Sequence, residues 1–295
     1  MDPISALLLA LSITMTSVRN ILSKRISDER FGYRGFFILQ ALIFTSGIAV
    51  LFLLNPSAFS AILPLTPLYG CIYGVFLVTA QWCYTVALYS GATSICATVY
   101  SMAFVIPTVT GMFFWSDEVS LPKIIGIGIV IPAIILSGMP DKNDQKPTAV
   151  KRATGISFVI PITVAMIASG SVGIIQKLQR SAPDQTAAVV IIAFIISALS
   201  STVGAFITKP READTSLKPK LLLALIIGAC YSVCNLLNTK LAATLPSTVF
   251  FPTVNIGTII LSLTFGIIFF GEKLGKRKLA VIILGITSIL LITFS

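Results

Sequence analysis

The sequence predicts an all-α polytopic membrane protein, with ten transmembrane helices forming two inverted five-helix repeats. Three observations carry that expectation. The 295 residues are 56% hydrophobic, with a mean hydropathy of +0.96 and only 11% charged side chains. A soluble domain carries roughly 25% charged residues, so these are too few to cover a soluble surface. The apolar runs are about 20 residues long, enough to cross a hydrocarbon core of about 30 Å. The chain also repeats itself without a gap at an offset of 154 residues: Gly74 falls on Gly228, Gln81 on Asn235, Thr85 on Thr239, Ser101 on Asn255 and Glu118 on Glu272. Ser17-Val18 on Ser171-Val172, Ser46 on Ser200 and Pro56 on Pro210 extend the match to the whole unit. Such an internal repeat governs the fold.

Hydropathy places spans at 4–24, 34–54, 66–89, 93–115, 121–139, 154–177, 185–207, 219–243, 247–270 and 277–294. The first span follows Met-Asp-Pro with no basic segment or small-residue cleavage site, and reads as a retained helix. The connections hold the helix breakers, among them Asn55-Pro56, Pro64, Pro122, Pro140, Pro183, Pro210 and Pro246. The longest polar stretch, Pro140 to Arg152, marks the join, giving a first repeat at 1–139, a linker at 140–153 and a second repeat at 154–295. Five spans per repeat is an odd number, so a shared fold requires the second repeat to be inverted. Inverted repeats are common in transporters, with the substrate near the midplane.

Lys and Arg set the orientation. The connections after spans one, five, seven and nine hold Lys24, Arg25, Arg30, Arg34; Lys142, Lys146, Lys151, Arg152; Lys209, Arg211, Lys218, Lys220; and Lys273, Lys276, Arg277, Lys278. The other side has only Lys123, Lys177, Arg180 and Lys240. This bias puts the first set, including the linker, in the cytoplasm and both termini outside, in the cell (inner) membrane. The net charge of +10 is therefore read as a topology signal facing headgroups, not as a nucleic-acid surface. All five cysteines lie in apolar segments and read as small buried residues. The chain has no His, so the commonest general base and metal ligand is missing.

Polar side chains inside spans should face a cavity or another helix. Span three aligns Tyr73, Leu77, Gln81 and Tyr84 on one stripe; span eight aligns Ile227, Tyr231, Asn235 and Asn238 at equivalent positions. Either a cavity wall or interhelical hydrogen bonding fits these stripes. Ser101 and Asn255 are equivalent by the offset, and Pro252 frees backbone carbonyls beside Asn255. Span one carries Ser12, Thr16, Arg19, Asn20 and Ser23 on a broad face. Arg19 is the sharpest residue, since an Arg at a helix centre costs roughly 2.5–3.5 kcal/mol on insertion scales. Its counterpart is Gly173. Arg19 either meets a substrate carboxylate or phosphate, or snorkels with Lys24 and Arg25 as an anchor. Lys177 and Lys240, near helix ends, read as anchors, and Asp117, Glu118 and Glu272 as helix caps. Gly126-x-Gly128 offers close helix packing.

The segments Cys83 to Gly138 (CYTVALYSGATSICATVYSMAFVIPTVTGMFFWSDEVSLPKIIGIGIVIPAIILSG) and Leu241 to Ile292 (LAATLPSTVFFPTVNIGTIILSLTFGIIFFGEKLGKRKLAVIILGITSILLI) each end a helix in small residues. A second helix then runs to Gly271-Glu272-Lys273-Leu274, or to Ser116-Asp117-Glu118-Val119 in the first copy, and a Gly-containing helix follows. These segments resemble repeats of the drug/metabolite transporter superfamily, EamA type. The resemblance covers essentially the whole chain. It implies a ten-helix transporter, and for many members both termini in the cytoplasm, against the charge count. The superfamily's small multidrug exporters use an intramembrane Glu in their first helix; here that region has Thr14, Met15 and Thr16.

The leading expectation is a secondary transporter of a small polar metabolite, an amino acid or other carboxylate, working by alternating access. Its expected substrate residues are Thr16, Arg19, Asn20, Gln81, Tyr84, Ser101, Tyr231, Asn235, Asn238 and Asn255. The alternative is a carrier of organic cations or amines held by an aromatic cage of Tyr73, Trp82, Tyr84, Tyr100 and Tyr231. An enzyme would need a nucleophile–base pair or metal ligands, for which the spans hold no His and no acid. A channel or scaffold is a third class. The expected partners are the lipid bilayer and a small molecule, without nucleic acid, cofactor or metal. A coupling ion, and monomer or dimer, stay open.

Overall fold

The computed structural model describes residues 3–27, 33–90, 99–138, 156–209, 220–270 and 275–293. The linker at 140–153, Cys96 and Glu272 lie outside these residues. Among the described residues there is no strand. The helices are α1 (Pro3–Ser27), α2 (Tyr33–Leu54), α3 (Leu65–Ser90), α4 (Val105–Phe114, entered through a 3-10 turn at Met102–Phe104) and α5 (Leu121–Gly138). They continue with α6 (Ile156–Leu178), α7 (Thr186–Ile207), α8 (Leu221–Thr244), α9 (Ser247–Phe270) and α10 (Lys276–Thr293). In lipid each backbone polar group must be satisfied internally, so apolar segments of this kind fold as helices. Pro132, Pro161 and Pro252 lie inside α5, α6 and α9, where each removes a ladder hydrogen bond.

Among the described residues six segments are long and apolar enough to cross a membrane: Pro3–Ser23, Tyr33–Leu54, Leu65–Ala87, Val159–Ser181, Pro183–Ile207 and Leu221–Thr244. Val99–Phe114, Leu121–Leu136, Ser247–Ser262 and Leu279–Ile292 are shorter apolar helices. Leu53, Phe113, Phe114, Phe206 and Ile207 point outward and are largely exposed, the arrangement that suits a lipid solvent. The fold is that of a polytopic helical membrane protein.

The helices gather into two compact units, and each unit draws on both halves of the chain. The first comprises Met1–Val78 and Leu178–Thr244, the second Thr79–Lys177 and Leu245–Ser295. In the first unit α2 packs on α7 and α8, and α1 packs on α8. Two glycines permit close approaches to a neighbouring helix backbone. Gly228 sets α8 against the Ser46 hydroxyl and the Ile43 carbonyl of α2, and Gly74 sets α3 against Ala193 and Ile196 of α7. These two glycines are counterparts at the 154-residue offset. Lipid tails are as apolar as Leu, so such helices associate by close packing at small residues. Gln185, just before α7, fastens the α2–α3 connection. Its Oε1 accepts from Leu63 N (3.3 Å) and Thr66 Oγ1 (3.0 Å), and its Nε2 donates to Ala61 O at 2.8 Å.

In the second unit α5 packs along α10, and α9 contacts α4, α5 and α10. Gly126 lies against Ile292 and Ser288 of α10, and Ser288 Oγ donates to Gly126 O at 2.7 Å. Gly128, expected to share that role, has no neighbouring side chain within 4 Å.

Candidate functional site

Arg19 of α1 meets α8 in the first unit. Its guanidinium carbon lies 3.9 Å from the centroid of the Tyr231 ring, inside the range of a cation–π contact. Tyr231 is only 5% exposed and is flanked by Phe44 of α2 and Phe194 of α7, with ring centroids at 5.9 and 5.5 Å. Phe44 and Phe194 meet edge-on at 5.4 Å. Three helices thus fix the ring on which the cation rests.

One turn along α8, Asn235 accepts a hydrogen bond from Tyr73 OH of α3 at 2.8 Å and donates from Nδ2 to Tyr231 O at 2.8 Å. Both ends of its buried amide are engaged, so Asn235 locks α3 to α8 and orients Tyr73 beside the site. Asn238 Oδ1 accepts from Ser12 Oγ of α1. Thr16 Oγ1 donates to Ser12 O at 2.8 Å, and Thr16 and Arg19 both neighbour the buried Cys234. Asn20 is exposed on α1. Thr16, Arg19, Asn20, Tyr231, Asn235 and Asn238 therefore belong to one unit, around the Arg19–Tyr231 stack.

The other four expected residues lie in the second unit. Tyr84 packs against Tyr100 with centroids 4.7 Å apart, over Ala87, Val99 and Ile162. Asn255 Nδ2 donates to Ser101 O at 2.9 Å, so the two offset counterparts touch each other. Gln81 is half-buried on α3, and its carbonyl accepts from Thr85 Oγ1 at 2.9 Å. Trp82, a member of the expected aromatic cage, is 49% exposed.

Electrostatically the first-unit site is a cation without an acid. α1 and α8 contain no Asp or Glu, and among the described residues no carboxylate pairs with Arg19. The Tyr231 ring lies against the guanidinium, which carries its N–H groups in the plane. Those form a rigid fork matched to a carboxylate or phosphate.

Sequence reasoning missed two features. Phe44 and Phe194 have Ala198 and Gln40 as offset counterparts, so the duplication gave no signal. Lys177, expected to be a surface anchor, is 2% exposed and engages Asp117 of the second unit. Asp117 does cap a helix, but that helix is α9, where Oδ2 accepts from Ser247 N, and not the α5 that follows it. The available signal was that both are singular in the repeat, with Ser23 and Gly271 as their counterparts.

The fold and site define a helical membrane protein in which an arginine sits among apolar helices with no acid paired to it among the described residues. Neither a family model nor a curated protein matches the sequence. Among solved structures, one described only as "Crystal structure of protein" is similar to 100% of this chain over 99% of its own, with TM-score 0.76 at 13% identity. That likeness concerns the fold alone.

Proposed function

We propose that this protein is a secondary transporter of a small polar metabolite bearing a carboxylate, with an amino acid as the favoured cargo. It would work by alternating access between two inverted five-helix repeats of the drug/metabolite transporter kind. The observation that carries the reading is Arg19, held on the Tyr231 ring with no acid paired to it among the described residues. A cation kept at such cost within an apolar helix calls for an anionic visitor. Thr16 lies about one turn away on α1, it and Arg19 both neighbouring Cys234, and Asn235, one turn along α8, is hydrogen-bonded to Tyr73. The repeat is supported by Gly74 and Gly228 marking tight crossings in the same unit, and by the bond between Ser101 and Asn255. Two residues related by a pseudo-twofold axis touch only when they lie near that axis.

The test is uptake of radiolabelled amino acids and dicarboxylates into proteoliposomes, repeated with Arg19→Ala. Saturable uptake abolished by the substitution supports the reading. Uptake by Arg19→Ala at the wild-type KM sinks the role of Arg19, and no saturable uptake of any carboxylate sinks the cargo. The Tyr84–Tyr100 pair favours a second reading, in which an organic amine rests on these rings. Quaternary-amine uptake that survives Arg19→Ala and is lost in Tyr100→Ala would select it.

A further inference from the structure

Four helix termini of the first unit lie at one end of it, and cations gather there. α1 runs antiparallel to α8, since Ser12 bonds to Asn238 and Arg19 lies against Tyr231, so α1 ends where α8 begins. Only residues 28–32 separate α1 from α2, which places the start of α2 at the same end. α2 in turn runs antiparallel to α7: a Cβ at Gly47 would meet the Phe194 ring, and one at Gly204 would lie 2.8 Å from the Phe37 ring. The end of α7 therefore lies beside the start of α2. This end carries Lys24 and Arg25 in the last turn of α1, Arg34 as the second residue of α2, Lys209 just past α7 and Lys220 just before α8.

Among the described residues of this unit the only acid is Asp184, which precedes α7 at the far end. With the connections 28–32 and 210–219 counted by sequence, eight basic residues stand against four acidic ones. The cations do not serve their own helices. Arg34 and Lys220 stand at the positive ends of α2 and α8, where a cation is disfavoured, and neither first turn holds an acid. Orientation in the membrane asks only for basic residues somewhere in a short connection, so it does not require them inside these turns. Arg34 precedes Phe37 by three residues and Lys209 follows Gly204 by five, so both lie about 5–8 Å beyond that contact at about 1.5 Å per residue. Lys209 is exposed and Arg34 half-buried. The same turns present apolar side chains outward: Tyr33 is exposed, and Phe206, Ile207 and Leu222 are largely so.

We infer that this end of the first unit binds one anionic phospholipid. Its phosphate lies between Arg34 and Lys209, with Lys220 adding to the positive field, and its acyl chains run along the outward Phe206, Ile207 and Leu222. Two kinds of fit coincide here. The Arg34 guanidinium offers paired N–H groups to phosphate oxygens and the Lys209 ammonium a point charge. Apolar side chains one or two residues from these cations give the acyl chains a surface for which a soluble anion has no use, and Tyr33 stands at headgroup level, as interfacial tyrosines do. The bound phosphate brings negative charge to the positive ends of α2 and α8, which reverses the sign of the interaction there. One lipid thus fastens α2 to the two helices it packs on, α7 and α8. The site contains none of the residues around Arg19, and it stands whether or not the protein moves a carboxylate.

The probe is dioleoyl phosphatidylglycerol, added to the full chain in detergent, with dioleoyl phosphatidylcholine, inorganic phosphate and glycerol phosphate as comparisons. Native mass spectrometry counts the lipid retained and gives its apparent Kd, and a thermal melt reports stabilisation. The expected result is one phosphatidylglycerol bound with a rise in Tm, and neither effect from phosphatidylcholine. Arg34→Gln and Lys209→Gln should each weaken binding about 5-fold, the worth of one basic residue at an anionic surface, while Lys240→Gln, at the far end of α8, leaves it unchanged. Raising the salt from about 0.05 to about 0.5 M should weaken wild-type binding by screening, a check that needs no variant to fold. Equal retention of the two lipids, binding that survives the Arg34→Gln Lys209→Gln double substitution, an equal loss in Lys240→Gln, or indifference to salt overturns the proposal. A rise in Tm with inorganic phosphate or glycerol phosphate as large as that with the lipid also overturns it, and marks these cations as a site for a soluble phosphate.

Discussion

Alanine at Gly74 should force α3 away from α7. Its Cβ would lie 2.7 Å from the Ala193 carbonyl oxygen, 2.8 Å from Ile196 Cβ and 3.1 Å from Ala193 Cα, where ordinary contact is 3.4–4 Å. Two of those atoms are backbone, so no rotamer change relieves the clash and the helices must part by about 0.7 Å. Overpacking of this kind costs about 1–3 kcal/mol, while the better helix propensity of alanine returns at most about 1 kcal/mol. The net loss is about 1–2 kcal/mol, and somewhat more for Gly228→Ala, whose Cβ overlaps the Ile43 carbonyl. At about 2–4 °C per kcal/mol, Gly74→Ala should lower Tm by about 2–8 °C. Gly128→Ala, with nothing within 4 Å, should melt at or above the wild type. Circular dichroism melts of the nanodisc-embedded protein compare them under one condition. Equal Tm values for Gly74→Ala and Gly128→Ala would refute the close α3–α7 crossing.

Three further outcomes follow from the contacts. Arg19→Ala should weaken calorimetric binding of the transported carboxylate by about 10- to 150-fold, the worth of about 1.5–3 kcal/mol for hydrogen bonds to a charged group; Arg19→Lys, which keeps the charge but loses the planar fork, should fall between. Tyr73→Phe leaves Asn235 Oδ1 without the donor at 2.8 Å and should cost about 1–3 kcal/mol in thermal unfolding, whereas Tyr69→Phe, half-buried on α3, should cost less. Lys177→Met or Asp117→Asn alone should cost about 3–5 kcal/mol by breaking the buried pair. The double substitution should melt closer to the wild type than either single one, and strict additivity would show that the two charges do not interact.

The helical membrane fold was legible because hydropathy alone reports whether a segment of this length can face lipid. The Tyr231–Asn235–Asn238 stripe was legible too, since polar residues one turn apart mark a face in an otherwise apolar helix. What they touch was not. Tyr73 and Asn235 were both on the expected stripes, yet only tertiary packing decides that one hydroxyl meets one amide 162 residues away. Phe44 and Phe194 left no trace because a helix that is apolar all round has no distinguished face. Lys177 misled for a related reason. A lysine near a helix end reads the same whether it reaches out to headgroups or turns inward to a carbonyl 68 residues later.

The interleaving of the two units has a consequence for biosynthesis. α2 finds its packing partners in α7 and α8, which the ribosome has not yet made when α2 emerges. The interval from Leu54 to Thr186 takes on the order of ten seconds at about 5–20 residues per second. Throughout that time the Gly47 and Ser46 face of α2 has only lipid, or a chaperone, against it. Neither half of the chain can complete a unit alone, so a polypeptide arrested after α5 should be recognised as unfinished and degraded. The two halves expressed as separate chains should be recovered only when both are present.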